Sequence, residues 1–131
     1  MANPRILIAD DKEFLRKSFR RLIRSVSKEI EVDEAANADE LLRKTREATA
    51  RNQPYSLIFT DQMMGPGKRG LEAIEELRTY DSNTPSYLCT AEELADFEDV
   101  IRRSGATGYI DKANAIVAIE AAIKKHLGLP K

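Results

Sequence analysis

Five short apolar runs recur along the chain, separated by longer amphipathic stretches: RILIA at 5–9, IEVDEA at 30–35, SLIFT at 56–60, SYLCT at 86–90 and TGYID at 107–111. Runs of this length, rich in β-branched and aromatic residues, predict strands, and the stretches between them carry a helical period. Strands alternating with helices pair in parallel through right-handed crossovers. Runs one and three are nearly continuous in apolar residues, as expected of central strands covered on both faces.

The helical stretches have readable stripes and stops. The first places Phe14, Leu15, Phe19, Leu22, Ile23 and Val26 on one face, with Arg16, Lys17, Arg20, Arg21 and Arg24 mostly off it, so one side predicts core and the other a solvated face. The second runs from about Asn37, an Asn or Asp cap, to Ala50, and Pro54 prevents continuation. The third is GLEAIEELRTY, stopped by DSNTP. The fourth spans about Ala91 to Ser104, with Leu94, Phe97, Val100 and Ile101 inward, and closes at Gly105. Asn114 caps the fifth, whose Ile116, Ile119, Ile123 and Leu127 face inward before Gly128 ends it. The resulting expectation is an α/β chain, a flavodoxin-like doubly wound (βα)5 sandwich with a five-stranded parallel sheet in the order 2-1-3-4-5.

Composition narrows the class. With 131 residues, 42% hydrophobic and 33% charged, the chain reads as one globular domain over 1–131, with no repeat, linker or fused output domain. The 21 basic and 22 acidic residues leave a net charge of −1, which gives no overall pull toward nucleic acid or anionic membrane. No aromatic residues interleave with the arginines of the first helix, so no direct nucleic-acid binding is expected. Cys89 is the single cysteine, which excludes an internal disulfide and a cysteine-built zinc site and reads as a small buried hydrophobe. His126 reads as a helix-end residue. The opening MANPRILIADDKEF has five apolar residues before two aspartates, too short and too acidic for a signal peptide or a membrane span. A cytoplasmic protein without membrane insertion is the expectation.

The chemistry collects at the C-terminal ends of the strands: Asp10 and Asp11 after the first, Asp61 after the third, Thr90 after the fourth and Lys112 after the fifth. In a doubly wound sheet these ends form one edge, and ligands bind where the strand order reverses, here between strands one and three. Three carboxylates that close require a countercharge. An all-oxygen set suits Mg²⁺, Lys112 adds a second cation, and the Thr90 hydroxyl adds a donor. A carboxylate so placed is able to attack phosphorus and form an aspartyl phosphate. Taken singly, Asp10 and Asp61 also fit helix caps or turns, Thr90 a cap for AEEL, Lys112 a surface partner of Asp111, and Tyr109 a core aromatic.

The segments IADD, FTDQMM, CTAEE and YIDK, in this order across essentially the whole chain, resemble the receiver domain of bacterial two-component response regulators. The resemblance implies that a sensor histidine kinase or phosphotransfer protein passes a phosphoryl group to Asp61, and that an unknown downstream protein reads the result. It implies that Asp10 and Asp11 hold Mg²⁺ together with Asp61 and the backbone carbonyl of Met63. It assigns Thr90 to the switch hydroxyl, Lys112 to the lysine that contacts the phosphoryl group, and Tyr109 to the aromatic that turns inward with Thr90. Met63 and Glu92 occupy positions that tune hydrolysis of the phosphoryl group.

Two departures stand out. After the nucleophile, Met64 is followed by Gly65 and Pro66, and Gly70 arrives one place late, so the loop is longer than the family's usual one. Where a proline commonly follows the lysine, Ala113 stands, which predicts a trans turn. The expected function is a phosphorylation-dependent switch that also dephosphorylates itself and signals through helix four, strand five and helix five. It is not an enzyme in the ordinary sense. The alternative is a receiver-like protein-binding scaffold that signals without phosphorylation; an aspartate-dependent phosphatase would want an acid where Met63 stands.

Overall fold

The computed structural model describes residues 3–91 and 98–128. Five strands, β1 (Arg5–Ala9), β2 (Glu31–Ala35), β3 (Leu57–Asp61), β4 (Ser86–Thr90) and β5 (Gly108–Asp111), form one sheet in the order β2-β1-β3-β4-β5. Every pairing is parallel. The intervening helices are α1 (Glu13–Val26), α2 (Ala38–Ala50), α3 (Gly70–Leu77), α4 (Glu98–Ser104) and α5 (Ala115–Leu127), the last preceded by a 3-10 turn at Lys112–Asn114. The doubly wound fold expected from the run pattern is the fold observed.

Strand alternation divides the core. On one sheet face Ile6, Ile8 and Phe59 pack with Ile23 of α1 and with Ile119 and Ile123 of α5. On the other, Leu7, Ala9 and Ile58 pack with Leu41 and Leu42 of α2 and with Ala73 and Leu77 of α3. Each large aliphatic side chain so buried stabilises the fold by about 1.5–3 kcal/mol. These layers fix the ends of β1 and β3 side by side, with Ala9 opposite Thr60. Among the described residues no helix is long and apolar enough to cross a membrane.

Several local expectations hold. Asn37 caps α2, accepting from the Glu40 N–H at 2.8 Å, while Glu40 accepts from the Ala36 N–H at 3.1 Å. Gly105 and Gly128 take positive φ beyond α4 and α5. The described peptide bonds are all trans, including that before Ala113, whose N–H donates to Asp111 Oδ1 at 2.9 Å. Cys89 is buried, and burial pushes its thiol up to about 12.

Five readings are corrected, the first being Val100 of α4, expected inward and found 42% exposed. Phe14 and Ile116 are each 67% exposed rather than core residues: Phe14 lies on the side of α1 opposite Ile23, with exposed Lys17, Arg21 and Ser25, and Ile116 lies in the first turn of α5. Asn114 makes no side-chain cap bond; Asp111 serves the turn instead. Arg16 and Arg20 are not free on a wet face but converge on Glu34 at the end of β2. His126 does more than end a helix, since its Nε2 lies 2.6 Å from the Tyr87 hydroxyl. Leu94, Phe97, Glu92 and the first turns predicted for helix four lie outside the described residues.

Candidate functional site

The site grows from two strand ends. β1 ends at Ala9, so Asp10 leaves the sheet at its C-terminal edge; its N–H still donates to Ala35 O at 3.0 Å, and its Oδ1 accepts from the Lys12 N–H at 2.9 Å. β3 carries Asp61 as its last residue, with Cys89 as register partner on β4. One carboxylate oxygen from each of Asp10, Asp11 and Asp61 lies within 4.8 Å of the others. Asp10 and Asp61 are 1% and 7% exposed, whereas Asp11 is exposed.

Lys112 supplies the countercharge. Its Nζ stands 3.1 Å from Asp61 Oδ1 and 3.8 Å from Asp10 Oδ2. Burial opposes the lysine's charge, but the bond to Asp61 and the charges of Asp61 and Asp10 prevail and raise its pKa. Asp10 moves the other way from an ordinary carboxylate. Burial pushes it up, the Lys12 N–H bond opposes that, and the charge of Asp61 adds to the rise. Asp10 Oδ2 is a buried oxygen without a hydrogen-bond partner.

That orphaned oxygen tests whether a cation fits. An unpaired buried acceptor costs about 1–3 kcal/mol, more when charged, and a bound cation would satisfy it. The donors are all carboxylate oxygens, the hard set preferred by Mg²⁺ over a soft metal. Ligand oxygens on magnesium stand up to about 4.2 Å apart, and the oxygens of this group all lie within 4.8 Å of one another. The residues present fit the ion.

The other sequence-predicted residues fall on the same edge. Thr90 is buried at the end of β4, opposite Asp111 of β5. Tyr109 is partly buried on β5, packed against Leu71, Leu88 and Ile101. Met63 has left the strand, and its side chain is 53% exposed.

Two features of the β3–α3 connection were not read from the sequence. Gln62 is buried; its N–H donates to Asp61 Oδ1 at 2.8 Å, its carbonyl accepts from the Gly70 N–H at 3.0 Å, and its Oε1 accepts from the Leu71 N–H at 2.9 Å. The side-chain amide therefore caps the start of α3 and closes the longer loop at its base. Gly70 is the second. A Cβ there would sit 2.3 Å from the Asp61 carbonyl oxygen and 2.9 Å from Leu88 Cδ1, so the helix abuts the backbone of Asp61 where only glycine fits. Between these anchors Gly65 and Gly67 take positive φ, with open space around them. A polar residue directly after an apolar strand was the available sign for Gln62; Gly70 was legible as the loop glycine of the resembled family, but not its approach to the Asp61 backbone.

Comparison with known proteins agrees with this geometry. A family model for the response regulator receiver domain matches residues 6–124. The two-component response regulator ORR41 of Oryza sativa subsp. japonica is 29% identical over 108 residues, covering 82% of each chain. The response regulator GacA of Pseudomonas protegens is 28% identical over 120 residues, covering 92% of this chain, which spans only 54% of GacA. Among solved structures, the Vibrio cholerae chemotaxis protein CheY4 superposes with a TM-score of 0.81 at 22% identity, over 95% of this chain and 99% of that one, a likeness of fold. The Thermotoga maritima response regulator TrrA, solved in complex with Mg²⁺-BeF, superposes with a TM-score of 0.76 at 26% identity, over 93% and 97%. With the fold, the acidic edge and the family match in agreement, the chain belongs to the response regulator receiver domain family of two-component signalling proteins.

Proposed function

We propose that Asp61 is the phosphoacceptor of a signalling switch, receiving its phosphoryl group from a histidine kinase or a phosphotransfer protein. The observation that carries this reading is the placement of Asp61 at the end of β3, 3.1 Å from Lys112 and grouped with the Asp10 and Asp11 carboxylates. The Gln62 N–H and Lys112 both engage Oδ1, which orients the carboxylate and leaves Oδ2 as the oxygen we assign to attack. A P–O bond forms at Oδ2 as the bond from phosphorus to the donor's nitrogen breaks, and that nitrogen departs with a proton. Lys112 stabilises charge on the transferred phosphoryl oxygens. Asp10, Asp11, Asp61 and the Met63 carbonyl would hold Mg²⁺, which when bound neutralises charge on the phosphoryl group.

Thr90 then offers its hydroxyl to a phosphoryl oxygen, and Tyr109 packs inward behind it, altering the surface of α4, β5 and α5. The cluster of Leu71, Leu88 and Ile101 beside the Tyr109 ring supports such a repacking. Water that enters by the loop at Gly65–Gly70 hydrolyses the acyl phosphate and resets the switch. A scaffold working without phosphorylation would have no use for a lysine held between two buried carboxylates, so the switch is the better reading. Incubation with Mg²⁺ and a ³²P-labelled small acyl phosphate is expected to label the chain, and Asp61→Asn to abolish the label. Undiminished labelling of that variant would refute the assignment.

A further inference from the structure

Two of the five basic residues of α1, Arg16 and Arg20, turn back onto Glu34. Arg16, 15% exposed along its side chain, donates from Nη1 to the Asp10 carbonyl oxygen at 2.7 Å and from Nε to Glu34 Oε1 at 3.0 Å. Glu34 Oε2 in turn accepts from Arg20 Nε at 2.9 Å, and the Glu34 carbonyl accepts from Lys44 Nζ. Burial opposes the charge of Glu34, but the Arg20 and Arg16 bonds outweigh it and hold the carboxyl below its usual range. A planar guanidinium with fixed donors suits this two-way bridge; an ammonium does not.

The bridge completes the restraint of Asp10. Its N–H is held by Ala35 O, its Oδ1 by the Lys12 N–H and its carbonyl by Arg16. The Asp10 carbonyl belongs to the peptide plane that leads into Asp11, so fixing that oxygen fixes the orientation in which Asp11 leaves the strand. Asp11 is exposed, and among the described residues its ion pair is a 3.8 Å contact to Lys12. Its aim therefore depends on the backbone before it.

We infer that Arg16, braced by Glu34, is a positioning residue that orients the Asp10–Asp11 peptide and thereby sets the affinity of the acidic site for a divalent cation. This rests on the reading of Asp10, Asp11 and Asp61 as the cation-binding set. Two effects of Arg16 oppose each other: its positive charge repels a cation, while its hydrogen bond orders the ligands. Glu34, shared with Arg20, offsets part of that charge, and the hydrogen bond acts directly on the peptide that carries the ligands, so ordering wins. Outer groups that orient metal ligands typically change affinity about 10- to 100-fold when removed.

The experiment is titration of the full chain with MgCl2 by calorimetry at neutral pH, alongside circular dichroism and thermal unfolding in EDTA. Arg16→Met is expected to weaken Mg²⁺ binding about 10- to 100-fold. Glu34→Gln is expected to weaken it too, and the double variant to bind no more weakly than Arg16→Met, since the two act along one path. Arg16→Lys keeps the charge but not the fork, so it is expected to stay several-fold weaker than wild type; with Glu34→Gln it carries the test if Arg16→Met fails to fold. Wild-type or tighter binding by Arg16→Met or Arg16→Lys would overturn the inference alone. A wild-type chain without saturable binding would overturn the cation site itself.

Discussion

Replacing Asp10 by asparagine should make the metal-free protein more stable. The variant keeps an acceptor for the Lys12 N–H and removes a buried charge whose Oδ2 has no hydrogen bond. At an effective dielectric of about 20, two carboxylates whose nearest oxygens lie within 4.8 Å repel by at least about 3.5 kcal/mol, and the attraction of Lys112 at 3.8 Å returns about 4.4 kcal/mol. Against Asp61 and Asp11 together the balance is unfavourable to Asp10 by about 2.5 kcal/mol, and solvent screening of exposed Asp11 brings it to about 1–2 kcal/mol. For a domain of this size that is a rise of about 3–6 °C in Tm.

The order should reverse in Mg²⁺. At about 100 times its dissociation constant the ion adds about 2.7 kcal/mol to a chain that binds it, and the asparagine variant gains far less. The pH dependence has a definite sign. The folded-state pKa of Asp10 is raised above 3.8, so the destabilising contribution of Asp10 in the metal-free wild type falls away, relative to the variant, as pH falls from neutral through that pKa toward 3.8. The advantage of the variant is thus present at neutral pH and disappears in acid. Thermal unfolding of both chains in EDTA and in MgCl2, at neutral and acid pH, measures all of this. A variant less stable than wild type in EDTA at neutral pH would refute the electrostatic reasoning.

Gly70→Ala should cost at least about 2–3 kcal/mol of stability, since its methyl meets the Asp61 backbone carbonyl; denaturant unfolding measures the loss, and chemical labelling of Asp61 should fall with it. Gln62→Leu should lower stability by about 1–2 kcal/mol by uncapping Leu71. An unfolding midpoint of Gln62→Leu equal to that of wild type would show that the cap contributes nothing.

The sheet was legible because its signals are local. RILIA and SYLCT coincide with β1 and β4, the second and fifth runs are one residue longer than their strands at the start, and the third is shifted by one residue at both ends. The acidic edge was legible because strand order alone brings Asp10, Asp11, Asp61 and Lys112 together. Phe14 misled because it lies on the side of α1 opposite Ile23, with exposed Lys17, Arg21 and Ser25, and Ile116 because it shares the angle of Ile123 but sits in the first turn of α5. The period records which side a residue faces, not how far the neighbouring layer extends. Arg16 and Gln62 were hidden for another reason. Their roles lie in bonds to Asp10 O and to the Leu71 N–H, and those depend on a β1–α1 turn and a loop closure that no spacing encodes.

Borohydride reduction followed by peptide mass spectrometry tests the central claim most directly, because it converts an aspartyl phosphate to homoserine at the residue that carried it. After incubation with Mg²⁺ and a small acyl phosphate, homoserine is predicted at position 61 and nowhere else. Its absence from position 61, or its appearance at Asp10 or Asp11 instead, would contradict the account.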